Sequence, residues 1–164
     1  MPAIASGKIA PDFRLPATDG KFYTLKEALS RNLTLVTFYK DTCPTCQFAL
    51  PFVERIYQAY KDKGLQALGI EQDDKQRTIA FSQEYGLTFP ALLDLENYKT
   101  SYSYGIDTVP TIFLVDKNGE ILLTSVGFVK DELAELSKKI ANKLGAPAFE
   151  VYKPGEHVPA LKAG

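Results

Sequence analysis

Apolar residues alternate with polar ones on both sides of Asp19-Gly20 in the stretch KIAPDFRLPATDGKFYTL. Asp-Gly is a favoured hairpin turn pair, so the chain is predicted to open on a β-hairpin. Thr24, with Glu27 three positions later, forms a capping box and predicts a short helix next. The run Leu33-Thr34-Leu35-Val36-Thr37-Phe38-Tyr39 is β-branched and aromatic, the composition of a buried strand. Phe48, Phe52, Val53, Ile56, Tyr57 and Tyr60 then recur at helical spacing and predict a helix from Pro44 to Lys63. Pro44 suits its first position and Gly64 its end, while Pro51 removes an interior hydrogen bond and is expected to bend it.

Leu65 to Ile70 reads as the next strand, and Asp73 or Asp74 can cap a helix running to about Tyr85, before Gly86. Phe89 to Leu93 predicts a short strand, and Asn97 to Tyr104 a further helix closed by Gly105. Thr111 to Val115 is a strand, and Asp116-Lys117-Asn118-Gly119 turns it into Ile121 to Val126 as an antiparallel hairpin. The last helix spans about Lys130 to Leu144, with Leu133, Leu136, Ile140 and Leu144 on one face. Strands alternating with helices imply an α/β fold, a central mixed sheet flanked by helices on both faces. One domain is expected over residues 1–145; residues 146–164, Pro-rich and aperiodic, form a tail that is either an ordered surface arm or a mobile end.

Composition narrows the function classes. At 164 residues, with 45% hydrophobic and 24% charged, the chain can bury a full core and is not a disordered protein. Its net charge of −1, from 19 basic and 20 acidic residues, leaves no footprint for nucleic acid or an anionic membrane. The longest apolar run is too short to span a bilayer. The start, MPAIASGKIAPDF, has no apolar segment behind a basic one and does not read as a signal peptide. A cytoplasmic protein is expected on that reading; the alternative is a periplasmic or membrane-tethered protein whose export signal is not part of this sequence.

Both cysteines lie in YKDTCPTCQF, three positions apart. A zinc site wants four ligands, and beyond Cys43 and Cys46 the chain offers only His157, in the tail, and carboxylates, so no metal is expected. The pair sits where a buried strand passes into a helix, which is an unusual place for inert core cysteines and favours a redox dithiol. A helix N-terminus stabilises a thiolate through its free N–H groups and dipole. Cys43, at or just before the N-cap, is therefore expected to be the accessible nucleophile. Cys46, one turn inward and more buried, is expected to resolve the mixed disulfide. Lys40 and Asp41 flank the site and would tune Cys43 in opposite directions. Core packing is the default expectation for Tyr39 and Phe48; as exposed aromatics they would instead pack near the dithiol.

The segment from Leu35 to Cys46, followed by a helix containing Pro51, resembles the active-site segment of the thioredoxin superfamily, and Thr108-Val109-Pro110-Thr111 is similar to that superfamily's cis-proline loop. The opening APDF, the later Asp-Gly and the element inserted between Leu65 and Pro110 resemble the redoxin branch, the TlpA/ResA-like thiol–disulfide oxidoreductases. The CPTC tetrapeptide is also similar to that of some cytochrome c maturation thioredoxins. The resemblance covers residues 8 to about 144. It implies a thioredoxin-like fold with an N-terminal hairpin and an inserted helix–strand element, and a cis bond before Pro110. It also implies substrate contacts at Pro44, Thr45 and Val109, the last offering backbone hydrogen bonds to an extended substrate strand. Two departures stand out: Thr42 replaces the tryptophan usual before the first cysteine, and Thr37 stands where the family often buries a carboxylate. Glu71 and Asp73, just past the next strand, resemble an active-site glutamate of the ResA-like branch and are the nearest candidates for accepting the Cys46 proton; the alternative is an acidic cluster of Asp73 and Asp74 at a helix N-terminus.

Peroxiredoxins share the fold and the APDF opening, but place the nucleophile in a Pro-x-x-x-Thr/Ser-x-x-Cys pattern. Counting back from Cys43 gives Lys40 and Val36, and the pattern fails at both positions. A thioredoxin-like binding module without turnover is the other alternative, and the intact cysteine pair argues against it. The resulting expectation is a monomeric thiol–disulfide oxidoreductase without a cofactor, with reduction the favoured direction. It would act on protein or small thiol–disulfide substrates and be regenerated by an upstream thiol reductant.

Overall fold

The computed structural model describes residues 2–164. The N-terminal hairpin consists of β1 (Arg14–Pro16) and β2 (Phe22–Thr24), with Leu15 opposite Tyr23. Thr24 then caps α1 (Leu25–Arg31), its hydroxyl accepting the Glu27 backbone N–H at 3.0 Å. The central sheet is built from β3 (Thr34–Tyr39), β4 (Gln66–Glu71), β5 (Ala91–Leu93), β6 (Thr111–Val115) and β7 (Ile121–Val126), in the order β5-β4-β3-β6-β7. Strands β3, β4 and β5 are parallel, while β6 runs antiparallel to β3 and β7 to β6. Parallel neighbours need long crossovers, and α2 (Pro44–Tyr60) and α3 (Lys75–Tyr85) supply them. Helix α4 (Lys99–Ser103) precedes β6, and α5 (Lys130–Leu144) follows a short strand, β8 (Phe128–Val129).

Because side chains alternate across a strand, a sheet covered on both faces carries two cores. Leu35, Ile112 and Leu114 pack against α2 and α5 through Leu50, Val53, Leu133, Leu136 and Ile140. On the opposite face Val36, Phe38, Phe113 and Val115 meet Leu25 and Ala28 of α1, together with Phe13 and Tyr104. Gly69 on β4 shows how tightly the first core closes: a Cβ there would come within 2.8 Å of both Tyr39 Cε1 and Phe89 Cε1. Gly69→Ala is expected to destabilise the fold by about 1–3 kcal/mol through overpacking, read as a lower urea midpoint at unchanged slope.

The predicted elements are present with displaced ends, each for a local reason. The helix expected over Asn97 to Tyr104 starts only at Lys99, because Asn97 and Tyr98 sit at φ 54° and 52°, in the left-handed region that cannot propagate a right-handed helix. Strand β5 starts at Ala91 rather than Phe89, since Pro90 has no N–H for the ladder. Helix α2 runs through Pro51 and ends at Tyr60, and Lys61–Lys63 tighten into a 3-10 turn before Gly64. Of the two alternatives for residues 146–164, the structure takes the ordered arm. Val151 is buried, and β9 (Leu161–Lys162) pairs antiparallel with β8.

Candidate active site

Sheet register brings three distant segments to one place. Strand β3 ends at Tyr39, directly before the cysteine loop. The antiparallel β6 places its first residue, Thr111, opposite Phe38, so the residues just before β6 lie beside that loop. The parallel β4 places its last residue, Glu71, opposite Tyr39. The site thus forms at the carboxyl ends of the parallel strands, where open α/β sheets bind their ligands.

The loop between Tyr39 and α2 is held from both sides. The Asp41 N–H donates to Asp73 Oδ2 at 2.8 Å, and Gln47 Nε2 donates to the Asp41 carbonyl at 2.8 Å. Arg77 Nε and Nη2 donate to the two Asp41 carboxylate oxygens at 2.7 and 2.6 Å. Arg77 in turn is placed by Asp74, which caps α3 by accepting the Arg77 N–H at 2.9 Å. Asp41, expected to oppose Lys40 beside the dithiol, therefore has its charge paired with Arg77. Nothing in the spacing of the sequence points to that partner.

Cys43 is the N-cap of α2, with an extended backbone and its Sγ accepting the Cys46 N–H at 3.2 Å. The same thiol donates to the Val109 carbonyl at 3.5 Å and is half-buried. Cys46 is fully buried. Burial raises its pKa above the usual thiol range, and its hydrogen bond to Cys43 and the nearby Glu71 charge act in the same direction. Both cysteines are free thiols. Pro44 between them is exposed, whereas Thr45 is buried with its hydroxyl donating to the Ala163 carbonyl at 2.6 Å. The Val109-Pro110 bond is cis, Pro110 is buried, and the Thr111 hydroxyl closes the loop by donating to the Thr108 carbonyl at 2.6 Å.

Glu71 is wholly buried on the same edge, and neither of its carboxyl oxygens has a hydrogen-bond partner. Burial pushes its pKa up to about 8, with the Asp73 charge adding to the rise. The Tyr39 hydroxyl is also buried and unpartnered. Tyr39 lies in the core, as the buried strand implied and not as an exposed aromatic beside the dithiol: its ring packs on Phe81, where Gly69 leaves it room. Phe48 is half-buried against Phe52 and Phe128. Asp73 differs from Glu71. Burial alone would raise its pKa, but the Asp41 N–H and the Arg77 guanidinium, 3.6 Å away, hold it below the ordinary carboxylate value. Thr37 is buried in β3 between Gly69 and Ile112, too far along the strand to replace either carboxylate at its end.

A dithiol at a helix N-terminus, beside a cis-proline loop at one end of a central mixed sheet, defines a thioredoxin-fold thiol–disulfide oxidoreductase. Residues 6–123 match the AhpC/TSA family, and the chain belongs to that family. The thiol–disulfide oxidoreductase ResA of Bacillus thuringiensis (strain Al Hakam) is 32% identical over 136 residues, which cover 82% of this chain and 78% of the relative. A Chlorobium tepidum protein assigned as a thiol:disulfide interchange protein DsbE superposes with a TM-score of 0.78 at 28% identity, covering 87% of this chain and 100% of that one. The thioredoxin domain of a Bacteroides vulgatus thiol–disulfide oxidoreductase superposes at 0.73 with 25% identity, over 84% of this chain and 98% of its own.

Proposed function

We propose that the chain works as a reductase of protein disulfides, with Cys43 attacking and Cys46 resolving. The observation that carries this reading is the asymmetry of the pair: Cys43 caps α2 half-exposed, and Cys46 lies fully buried one turn behind it. The Cys43 thiolate attacks one sulfur of the substrate disulfide, forming a mixed disulfide and releasing the other substrate sulfur as a thiolate. Cys46 then loses its proton to Glu71 and attacks Cys43 Sγ. The second substrate thiolate leaves, and the Cys43–Cys46 disulfide stores the oxidation. Two electrons have passed to the substrate; a second dithiol from an upstream partner returns them.

In this scheme Glu71 serves as the base because its carboxylate is buried, unpartnered and half-ionised near pH 8. Asp73 holds the cysteine loop instead, its carboxylate being engaged by Asp41 and Arg77. Val109 offers backbone groups to an extended substrate strand, with Pro110 shaping that edge and Pro44 and Thr45 bordering it. The protein acts as a monomer. No described helix is long and apolar enough to cross a membrane. The proposed setting is any compartment with a dithiol donor, cytoplasmic as the sequence reads or extracytoplasmic with a targeting segment outside this sequence.

A peroxidase reading has less support, since Val36 is buried in the second core and Lys40 follows β3 where the peroxide-binding proline and hydroxyl would be needed. The test compares two substrates under one reductant. With dithiothreitol as electron donor, the protein is expected to accelerate insulin disulfide reduction and leave hydroperoxide consumption at the uncatalysed rate. The reverse preference would sink the proposal.

A further inference from the structure

The arm that follows α5 reaches the redox site. Arg55 of α2 anchors its middle, donating to the Val151 carbonyl at 3.1 Å and to both Glu156 carboxylate oxygens at 2.8 and 2.7 Å. The chain then runs along β8. The Lys130 N–H donates to the Ala160 carbonyl at 3.0 Å, and Leu161 and Lys162 pair with Val129 and Phe128. The Lys162 ammonium lies 5.4 Å from the centre of the Phe48 ring. Beyond it the arm reaches the dithiol. The Thr45 hydroxyl donates to the Ala163 carbonyl at 2.6 Å, and Gly164 lies so close to the Val109 carbonyl and Thr108 that a Cβ there would collide with both.

These contacts fall on the ground a protein substrate needs. Thr45 lies between the two cysteines yet is only 6% exposed. The Val109 carbonyl that Gly164 crowds is the group to which the Cys43 thiol donates. An extended strand running beside Val109 to reach Cys43 would need the space of Ala163 and Gly164. We propose that Leu161–Gly164 is an intramolecular strap that competes with protein substrates for the cleft and lifts from Thr45 and Val109 when one binds. The proposal rests on the reading of Thr45 and Val109 as the docking edge. The arm is divided accordingly. Its middle is fixed by buried Val151 and the Arg55–Glu156 pair, whereas beyond Ala160 a two-residue strand, one hydroxyl hydrogen bond and a cation over a ring hold it. A small disulfide needs only to reach Cys43, a residue that is half-buried and not enclosed, so the strap discriminates by size.

The test compares the full chain with a form ending at Ala160, each assayed on insulin and on a small aromatic disulfide. Truncation is expected to raise kcat/KM for insulin roughly tenfold, as when about a tenth of the full-length molecules have the strap lifted, and to change the small-disulfide rate by less than about twofold. Lys162→Pro in the full chain, which puts a residue without an N–H into the two-residue strand, is expected to act in the same direction and guards against a truncation that misfolds. Unchanged or slower insulin reduction in both altered forms, with the small disulfide still reduced, overturns the strap alone. An equal rise on both substrates also overturns it, because the arm would then be acting on Cys43 itself. Failure of the full chain on both substrates overturns the thiol–disulfide reading, and the strap with it.

Discussion

Cys43→Ser is expected to lower kcat/KM for a protein disulfide by about a thousandfold or more, to the background of the reductant alone, because a serine hydroxyl is not ionised at neutral pH and cannot open a disulfide. Cys46→Ser should behave differently. Its Cys43 can still attack, but the mixed disulfide has no resolving thiol and accumulates. Cys46→Ser should therefore retain covalent partners on a non-reducing gel, and Cys43→Ser should retain none. The structure makes this asymmetry steep. Cys43 is half-exposed beside the cleft, whereas Cys46 is fully buried with its pKa raised by that burial. Alkylation of the reduced protein should accordingly modify Cys43 well before Cys46. Equal trapping by the two serine variants would mean that the roles are exchanged or shared.

The parts of the site legible in the sequence are those encoded locally. A strand, two cysteines around Pro44 and a helical repeat are all contained between Leu33 and Tyr60, so spacing alone predicts that Cys43 caps a helix and that Cys46 points inward. Pro110 is legible for a different reason, as a proline opening a strand in a chain that already carries the dithiol. What joins the two is register. Only the pairing of Phe38 with Thr111 brings Val109 to the cysteine loop, and hydrophobic patterning does not specify which strands pair. The same holds for Glu71 and Asp73. They are two positions apart and similar in chemistry, yet the first ends a buried strand without partners and the second meets Asp41 and Arg77. The arm is the least legible part. Its residues have no periodicity, and its course depends on single contacts such as Arg55 with Glu156 and Thr45 with Ala163.

Glu71→Gln tests the proton acceptor and should change two pH profiles at once. The first is kinetic. Cys46 must lose a proton to attack, and a buried carboxylate with a pKa near 8 is matched to take it at neutral pH. Resolution of the mixed disulfide should slow by roughly a hundredfold at pH 7 in the variant, while formation of the mixed disulfide at Cys43 stays near its original rate. The second profile is stability. Glu71 ionises near pH 8 in the folded protein and near its ordinary value of 4.5 when unfolded, so between those values the folded state holds the extra proton. Its stabilising contribution is complete below about pH 4.5 and is lost as pH rises through about 8, a loss on the order of 4–5 kcal/mol. Asp73, held below its ordinary value of 3.8, contributes with the opposite sign and only at lower pH, which leaves the upper window to Glu71. Glutamine keeps the shape without the charge. Urea unfolding at several pH values should show the downward slope in the parent protein and a nearly flat line in Glu71→Gln. A flat stability profile with an unchanged resolution rate would make Glu71 a buried charge without a part in catalysis; an unchanged slope would mean that its carboxyl does not titrate in this window at all.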